Sequence, residues 1–547
     1  MNKPRLICYQ DAHHYHAKRL DPPLSLHKLR WPVDELLGTG VDMLAFGLGY
    51  GDVYFHDSKV GRVVDQKKEV WTNLPDWRIM RMAKDAREMG TDQLKEVVNW
   101  GREMGLSVIP SLKIQSCDKP DSDRAGILKW DRHEEVCLGE IDEWHPRYEF
   151  CYDYAHPAVR EAKLAVIGEV LEDYQADGIE LDFMFVPRFF KKDEQEANAP
   201  IMDGFVSEVR KIADEVGKAQ SREVTVAVRV FDQERYNLRH GLDVRAWLKQ
   251  KSVDIVVGQI TEFLFDTGVV DVQWLGDAAN EADAAAYVRP SRRDRVYDER
   301  TARPSIEMYR ALTQTIRDQG CAGLYLGNLP WPFGQREYQI LREVAYPEAH
   351  TRSDKIYLLQ PREPGLVFEE LLDYASGYPV LPRQPEDEVT DGPPRQLPVP
   401  LEEGKTASIG IVVSDDLDSA RQDGEMRKPE LTIRFNSFCI DDKIEIRFND
   451  RALSLDAAEL TDERALAMAD KPGKVTPIEA PMGMSAHWFR FMLDIDLLQR
   501  GTNTLEVEVK RFGELADFER SINGVEVRTR YKDFERPRGL EVSRIDP

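Results

Sequence analysis

The sequence predicts an α/β chain: a closed (β/α)8 barrel of the TIM type, followed by an antiparallel, jelly-roll-like β-sandwich. In roughly the first 350 residues, short apolar runs alternate with segments whose apolar residues recur at helical spacing. No glycine-rich phosphate-binding fingerprint follows an early strand, which disfavours an open, doubly wound sheet. Beyond about residue 400, short runs of alternating polarity are separated by turn residues, a pattern typical of sandwiches.

The barrel pattern predicts its strands in chain order. They are 5–11, 40–51, 106–115, 178–184, 223–231, 253–263, 285–291 and 321–331. The clearest helical periods lie at 91–105, 156–175, 202–219 and 304–320. The loops after the first four strands are long. Because barrel active sites lie at the carboxyl ends of the strands, we expect the substrate cleft at that face.

The chain is too long for one hydrophobic core, so we expect more than one domain. We assign 1–350 to a catalytic barrel and 401–547 to the β-sandwich. The segment 351–400 between them is rich in proline and acidic residues, which is typical of a linker or an edge segment.

The charge balance limits the partners. The chain carries 74 basic and 98 acidic residues, a formal net charge of -24. Nucleic-acid binding needs a basic footprint, so we expect no nucleic-acid partner. No apolar run approaches a membrane span, so we expect no membrane partner. The start MNKPRLICYQ lacks the apolar core of a signal peptide, which predicts the cytoplasm; secretion or a periplasmic location stays open if a leader has been removed.

Two carboxylates stand on one face of the predicted fourth strand. Glu180 and Asp182 are two residues apart, whereas Ile179 and Leu181 point to the opposite face. In a barrel the apolar face meets the helices and the carboxylate face looks inward. Burying two charges is costly unless they are paired or used. We therefore expect at least one of them to act in catalysis or binding, the alternative being ion pairs with Arg229 or Lys113.

At this strand the sequence resembles a known group. YDYAHPAVREAKLAVIGEVLEDYQADGIELDFMFVPRFF resembles the fourth-strand region of family-10-like glycosyl hydrolase barrels, and GCAGLYLGNLPW resembles their eighth strand. DGIELDFM is also similar to the strand-four pattern of family 18 chitinases. There, Glu180 and Asp182 would take the two preparatory acid positions, but the catalytic Glu position is Met184, which cannot donate a proton. The Asn-Glu pair of true family 10 xylanases is absent. The resemblance implies a carbohydrate substrate on a barrel.

Glycoside hydrolysis usually needs two carboxyl groups that flank the bond. In alpha-galactosidase-like barrels the nucleophile lies on strand four and the acid near strand six. By that resemblance, Asp182 is the expected nucleophile or base and Glu262 the expected general acid/base. Glu180 is a third catalytic candidate, although it lies deeper and is the more structural of the pair. Asp11 and Asp232 are rival carboxylates at strand ends.

The predicted substrate-binding residues lie at or near strand ends, where aromatic faces and hydrogen-bonding groups suit pyranose rings. They are Tyr9, Asp11, His13, His14, Lys113, Gln115, Arg188, Arg229, Asp232, Gln259, Asn328 and Trp331. Trp331 is the best stacking candidate, although it also suits a plug at the barrel end. Arg188, Arg229 and Lys113 together could hold a carboxylate or a sulfate on the sugar, or could neutralise strand four.

The histidines after the first strand suggest a different chemistry. In DAHHYH, Asp11 precedes His13, His14 and His16, and such ligands suit zinc or manganese. The spacing matches no tight motif, so we assign no metal and no cofactor. The sequence thus predicts a glycoside hydrolase that acts in oligo- or polysaccharide degradation. A non-catalytic carbohydrate-binding relative and a metal-dependent barrel enzyme remain the alternatives.

The C-terminal region resembles galactose-binding-like domains, chiefly through WFRFMLDIDLLQRGTNTLEVEV and INGVEV. The resemblance implies carbohydrate binding, or else a domain that braces the barrel. We favour bracing or assembly, which leaves a homo-oligomer through this domain open.

Overall fold

The structure is a computed structural model that describes most of the chain. The described residues are 3–64, 70–71, 73–140, 147–260, 265–268, 271–290, 303–327, 329–360, 372–373, 378–379, 396–439, 441–462, 486–514 and 518–532. Two predicted site residues, Glu262 and Asn328, lie outside these ranges.

Eight parallel strands close into a barrel, as the sequence predicted. In chain order, β1 to β8 are Ile7–Asp11, Met43–Gly47, Ser107–Lys113, Gly178–Asp182, Thr225–Phe231, Ile255–Gln259, Ala285–Arg289 and Gly323–Gly327. Consecutive strands are neighbours, and β8 pairs with β1 to complete the ring. Each observed strand is shorter than predicted, because residues that flank a strand can share its alternation and still belong to loops.

Helices and small elements connect the strands. The α-helices span Ala12–His14, Leu26–Asp34, Leu74–Glu88, Gln93–Met104, Ile127–Val136, Pro157–Asp173, Ala199–Gln220, Glu234–Arg239, Val244–Lys249, Gln273–Glu281, Ile306–Asp318, Gln335–Glu343 and Leu417–Gln422. A π-helix spans Tyr15–Arg19, and 3-10 helices span Tyr148–Phe150, Lys192–Glu194, Pro347–His350 and Leu455–Ala457. Short strands at Gly49–Tyr50, Val53–Tyr54 and Arg62–Val63 form a small sheet after β2.

Local sequence explains where the helices begin and end. The helix Gln93–Met104 begins where the Asp92 side chain accepts a hydrogen bond from the Lys95 amide at 2.9 Å. It ends at Gly105, whose φ of 76° lies in the left-handed region that glycine adopts without strain. The helix before β4 carries Pro157 in its first turn, where a missing amide proton costs nothing.

Two apolar layers hold the barrel. Inside it, small and branched side chains from most strands pack together with Tyr287 and Tyr325. Outside it, the other faces of the strands pack on the helices: Phe183, just after β4, contacts the fully buried Trp247 at a ring separation of 5.4 Å. The inner apolar layer fills the lower barrel, so polar inward residues are confined to the carboxyl-end mouth.

Two antiparallel sheets follow the barrel. The first has the order Lys355–Leu359, Ser521–Tyr531, Met426–Asn436, Ala486–Met492 and Glu459–Asp462, with Val399–Pro400 also paired to Ser521–Tyr531. The second has the order Thr406–Val413, Gly501–Arg511, Lys443–Phe448 and Arg451–Leu453. One hydrophobic cluster draws on both sheets, as expected of a sandwich. Leu372–Asp373 and Tyr378–Pro379 form a separate two-stranded pair.

The strand Lys355–Leu359 joins the sandwich sheet and also contacts the barrel. The Leu358 carbonyl accepts from the Thr267 amide at 3.1 Å, and the Gln360 amide donates to Asp266 at 2.8 Å. A second contact joins Ser414 to Thr315 at 3.3 Å. The predicted divisions at residues 350 and 400 stay predictions.

We expect Trp247→Ala to destabilise the barrel by about 3–5 kcal/mol, because it removes a fully buried ring from behind β4. It also removes the indole that donates to Asp203 at 2.6 Å. Trp77→Ala is the matched control, since that ring is 38% exposed, and it should cost about 0.5 kcal/mol or less. Urea denaturation measures both changes. Equal losses of unfolding free energy in Trp247→Ala and Trp77→Ala would contradict the burial of Trp247 behind β4.

Candidate functional site

The barrel mouth gathers buried ionisable side chains from several strands. Three are acidic and three are basic, and all are at most 9% exposed: Asp11, Glu180, Asp182, Lys113, Arg229 and Arg289. Five of them were predicted to be site residues; Arg289 was not. Paired and perturbed ionisable groups concentrate at functional sites, so the mouth is the candidate site.

One guanidinium holds both carboxylates of β4. Register places Asp182 beside Arg229 of β5, so the side chains meet inside the barrel. Arg229 forms a close ion pair with the Oδ2 atom of Asp182, and its Nε lies 3.4 Å from the Oε1 atom of Glu180. The Tyr9 ring lies 4.9 Å from the guanidinium carbon. The ion pairs expected as the alternative for β4 are therefore present.

Glu180 is fully buried beneath Asp182. Its Oε1 atom accepts from the Ser111 hydroxyl at 2.9 Å and the Tyr325 hydroxyl at 3.1 Å, whereas its Oε2 atom has no hydrogen-bond partner among the described residues. Burial raises the pKa of Glu180, and the opposing effect of Arg229 does not outweigh it. Glu180 is therefore the member of the pair that retains a proton more readily than an ordinary glutamate.

Asp182 is oriented from two sides. Its Oδ1 atom accepts from the Met184 amide at 2.9 Å, and its Oδ2 atom pairs with Arg229. Both contacts use the side chain as an acceptor, which suits a nucleophile or a base better than a proton donor. The Met184 side chain packs in a buried cluster with Phe231 and Tyr236, so position 184 contributes an apolar group to the mouth.

A second ion pair lies on the side of β1 and β3. Lys113 Nζ donates to the Oδ2 atom of Asp11 at 3.0 Å and to the Gly49 carbonyl at 3.2 Å. The Tyr9 hydroxyl also donates to Asp11, at 3.1 Å. Burial opposes ionisation of Asp11, but Lys113 and the nearby histidines outweigh it and hold the pKa of Asp11 well below its usual value. Lys113 thus pairs with Asp11, and the β4 carboxylates are left to Arg229.

The histidines after β1 flank this ion pair. His13 stacks on Tyr50 with ring centroids 4.3 Å apart, and its ring centroid is 5.5 Å from that of His14. Burial lowers the pKa of both, which favours neutral imidazoles that can donate or accept. His16 instead packs on Phe55 outside this group. In the described part of the chain, no three His, Cys, Asp or Glu side chains are arranged to hold a metal ion.

A pocket opens beside Asp11. It is small, and its lining includes Tyr9, Asp11, His14, Arg19 and Phe333. The pocket joins the predicted binding residues of β1 to side chains from the loop after β8.

Gln259 and Arg289 complete the mouth on the side of β6 and β7. Register places them side by side at the ends of their strands. The Gln259 Oε1 atom accepts from Arg229 at 3.4 Å and from Arg289 at 3.1 Å. Sequence analysis placed a strand at 285–291 but assigned Arg289 no role. Its alternation with Tyr287, which points inward, is the signal that would have identified it.

Two predicted binding residues are used in holding loops. The Gln115 side chain donates to the carbonyls of Tyr152 and Arg188 and accepts from the amides of Ser116 and Tyr152. Its hydrogen-bonding capacity is therefore taken up by backbone. The Arg188 guanidinium lies 5.0 Å from the Tyr148 ring centroid. Both roles depend on loop contacts that alternation along a strand does not reveal.

Trp331 and Asp232 lie at the edge of the site. The Trp331 indole donates to Glu35 at 2.8 Å and its ring lies under Arg19, yet the residue is 42% exposed. It is thus tethered on one side and open on the other, which fits both predicted roles. The Asp232 carbonyl accepts from Trp274 at 2.7 Å, outside the barrel wall. Its side-chain role, like those of Glu262 and Asn328, stays a prediction.

Comparisons with known proteins give only distant likenesses. No family model matches the chain, and no curated protein matches it. Among solved structures, the chain is similar to a cycloisomaltooligosaccharide glucanotransferase of Paenibacillus sp. (9% identity, 95% of this chain and 57% of that one, TM-score 0.32). It is also similar to an alpha-L-fucosidase isoenzyme 2 of Paenibacillus thiaminolyticus (12% identity, 64% of this chain and 51% of that one, TM-score 0.40). A third similar structure is a family 18 N-acetylglucosaminidase of Paenibacillus barengoltzii (12% identity, 61% of this chain and 98% of that one, TM-score 0.33).

The chain spans about half the length of the first two of these proteins. These structural neighbours act on carbohydrates by name, but likenesses this weak assign neither a family nor an activity. The membership of a family-10-like group and the galactose-binding-like character of the sandwich stay predictions. No helix in the described ranges has the length and apolar character needed to cross a membrane.

The raised pKa of Glu180 predicts a pH dependence of stability. Above the ordinary value of 4.5, the unfolded chain releases this proton more readily than the folded chain, so stability falls as pH rises toward the folded pKa. Glu180→Gln cannot titrate there. We expect the free energy of unfolding of the wild type, minus that of the variant, to decrease as pH rises above about 4.5.

Urea denaturation over a series of pH values measures this difference. Ser111→Ala is the control, because it keeps the carboxyl group. It removes a hydrogen bond that favours the ionised acid, so stability should still fall with rising pH, at least as far as in the wild type. A constant or increasing difference for Glu180→Gln would show that the folded state does not favour the protonated acid.

Proposed function

We propose that this protein is a glycoside hydrolase that cleaves a glycosidic bond of an oligo- or polysaccharide at the barrel mouth. The observation that carries the proposal is Asp182, a carboxylate at the carboxyl end of β4, oriented by a backbone amide and by Arg229. Strand ends at this face are where barrel enzymes place reacting groups.

Asp182 acts as the nucleophile or base in this proposal. Its oxygens are fixed before substrate binds, which lowers the cost of reaching the reactive geometry. Arg229 neutralises the carboxylate between turnovers. Glu180 acts beneath as a positioning residue, since it contacts the same guanidinium from the buried side. The proton for the leaving group comes from Glu262 by the same proposal, because hydrolysis needs a second carboxyl group and Glu262 follows β6 in the sequence, whereas Asp182 ends β4.

The remaining mouth residues bind the sugar. Asp11 and Lys113 form a charged pair that offers both an acceptor and donors to hydroxyl groups. His13 and His14, favoured as neutral imidazoles, supply further hydrogen bonds, and the Tyr9 ring contributes an aromatic edge to the neighbouring pocket. This set suits a pyranose, whose hydroxyls need polar partners and whose C–H faces need apolar ones.

A non-catalytic carbohydrate-binding protein is the second candidate. Two observations favour it: both β4 carboxylates contact Arg229, and position 184 is methionine. An ion-paired carboxylate can hold a sugar hydroxyl without attacking it. The two candidates differ in one measurable property, which is whether a bound glycoside is turned over.

The isosteric variant Asp182→Asn separates these candidates. We expect the wild type to hydrolyse at least one member of a panel of 4-nitrophenyl α- and β-glycosides and end-labelled oligosaccharides. Asp182→Asn should lower kcat/KM for that member by about 10³-fold or more, because the asparagine amide cannot replace the charge. Calorimetry should show affinity for the same sugar within about tenfold of the wild type.

Asp254→Asn is the matched control. Asp254 is also ion-paired, to Arg210 at 2.8 Å, but it precedes β6 at the opposite end of the barrel. Its loss should lower stability and leave turnover unchanged. A wild type that binds a sugar of the panel but hydrolyses none, with Asp182→Asn altering affinity alone, would reject the enzyme in favour of the binding protein.

A further inference from the structure

Arg289 differs from the other two cations of the mouth. Lys113 pairs with Asp11, and Arg229 pairs with Asp182. Arg289 is 6% exposed, and among the described residues no carboxylate lies within ion-pairing distance of it. Among the same residues, one terminal nitrogen of Arg289 donates a hydrogen bond to the Gln259 amide oxygen at 3.1 Å, and Nε has no hydrogen-bond partner.

This arrangement is costly for a folded protein. A buried charge without a counter-charge loses hydration that a single amide hydrogen bond does not replace. Gln259 is shared with Arg229, and its dipole cannot neutralise a guanidinium. The Tyr9 ring, 5.8 Å from the guanidinium carbon, adds only a weak attraction. Burial and repulsion from Arg229 lower the pKa of Arg289, but an arginine remains a cation at neutral pH.

The two ion pairs of the mouth leave no carboxylate to Arg289 among the described residues. Lys113 uses Asp11, and Arg229 contacts both Asp182 and Glu180. Arg289 therefore carries a surplus positive charge in the described part of the mouth.

The position of Arg289 makes that surplus useful. It is the last residue of β7, level with Gln259 at the end of β6, and therefore faces the mouth above Glu180. Gln259 holds one nitrogen, and in the described part of the chain Nε and the other terminal nitrogen of Arg289 remain for a ligand. A planar guanidinium with free donors matches an oxyanion with two oxygens, by paired hydrogen bonds. A neutral hydroxyl group would leave the charge unmatched.

We propose that Arg289 binds an anionic substituent of the sugar substrate, a carboxylate or a sulfate ester, so that the substrate class is an acidic saccharide. This inference rests on the proposed function for the position of the substrate. The sequence analysis expected Lys113, Arg229 and Arg188 to hold such a group, and Arg289 takes their place in this proposal. Lys113 and Arg229 have carboxylate partners, and Arg188 lies against Tyr148.

The first test asks whether Arg289 serves the fold. Arg520 is the matched control: it is also buried but pairs with Asp442 through two hydrogen bonds, of 2.8 and 3.1 Å. Arg520→Met should lower the melting temperature, because it strands a buried carboxylate. Arg289→Met strands none and should leave the melting temperature of the ligand-free protein unchanged or higher. A fall as large as that of Arg520→Met would assign Arg289 a structural role and overturn the proposal.

The second test uses sugars that differ only in charge. Glucose, galactose and mannose are each compared with the uronic acid and with the 6-sulfate, by calorimetry on the full-length protein. We expect at least one charged member to bind about 10- to 100-fold more tightly than its neutral counterpart. A preferred uronic acid identifies a carboxylate, and a preferred 6-sulfate identifies a sulfate ester. Arg289→Met should abolish the preference, and Arg289→Lys should retain part of it, since lysine keeps the charge but loses the paired donors.

Two results would overturn the inference: no charged sugar preferred by the wild type, or a preference that persists in Arg289→Met. The proposed function fails separately. If the wild type prefers a charged sugar through Arg289 and yet hydrolyses no 4-nitrophenyl glycoside or uronide, that result rejects the hydrolase and retains the anion site. Hydrolysis of neutral glycosides by a wild type that shows no preference for any charged sugar retains the hydrolase and rejects the anion site.

Discussion

The contact of Arg229 with the two β4 carboxylates is the interaction on which the barrel mouth depends. Without it, Glu180 and Asp182 would face each other as like charges in a space closed to water. With it, Asp182 is held at the carboxyl end of β4 and Glu180 is held beneath, where burial raises its pKa. Because Arg229 is committed to this contact, the other charges must be satisfied elsewhere: Lys113 by Asp11, and Arg289 by a ligand in our proposal.

The same contact bears on whether the protein is an enzyme. One oxygen of Asp182 is occupied by Arg229, and the methionine at position 184 cannot act as a proton donor. Hydrolysis therefore requires a second carboxyl group that reaches the bond from another strand.

Alternation along the strands predicted the eight-stranded barrel and the inward direction of Glu180 and Asp182, and it offered Arg229 or Lys113 as their ion-pair partner, of which Arg229 is the one observed. These follow from the two-residue repeat of a strand and from the order of neighbouring strands. The partner of Lys113 could not be predicted this way, because a contact across the barrel depends on the stagger of strands that are distant in sequence. Gln115 was assigned to substrate, but it binds the backbone of distant loops. Arg289 was missed because its short strand gave a weak signal, although its side chain follows the same alternation as Tyr287.

The central claim is that a saccharide binds in the mouth with its scissile bond beside Asp182. A crystal structure of the Asp182→Asn protein with an acidic oligosaccharide tests this directly. Our account predicts density in the mouth, with an anomeric carbon next to residue 182 and an anionic group on Arg289. The distance from residue 182 to the second carboxyl group would then indicate the stereochemistry: about 5–5.5 Å for retention and about 6.5–9.5 Å for inversion. Sugar bound only to the sandwich, with Arg229 still holding the side chains of β4 and the mouth unoccupied, would contradict the account.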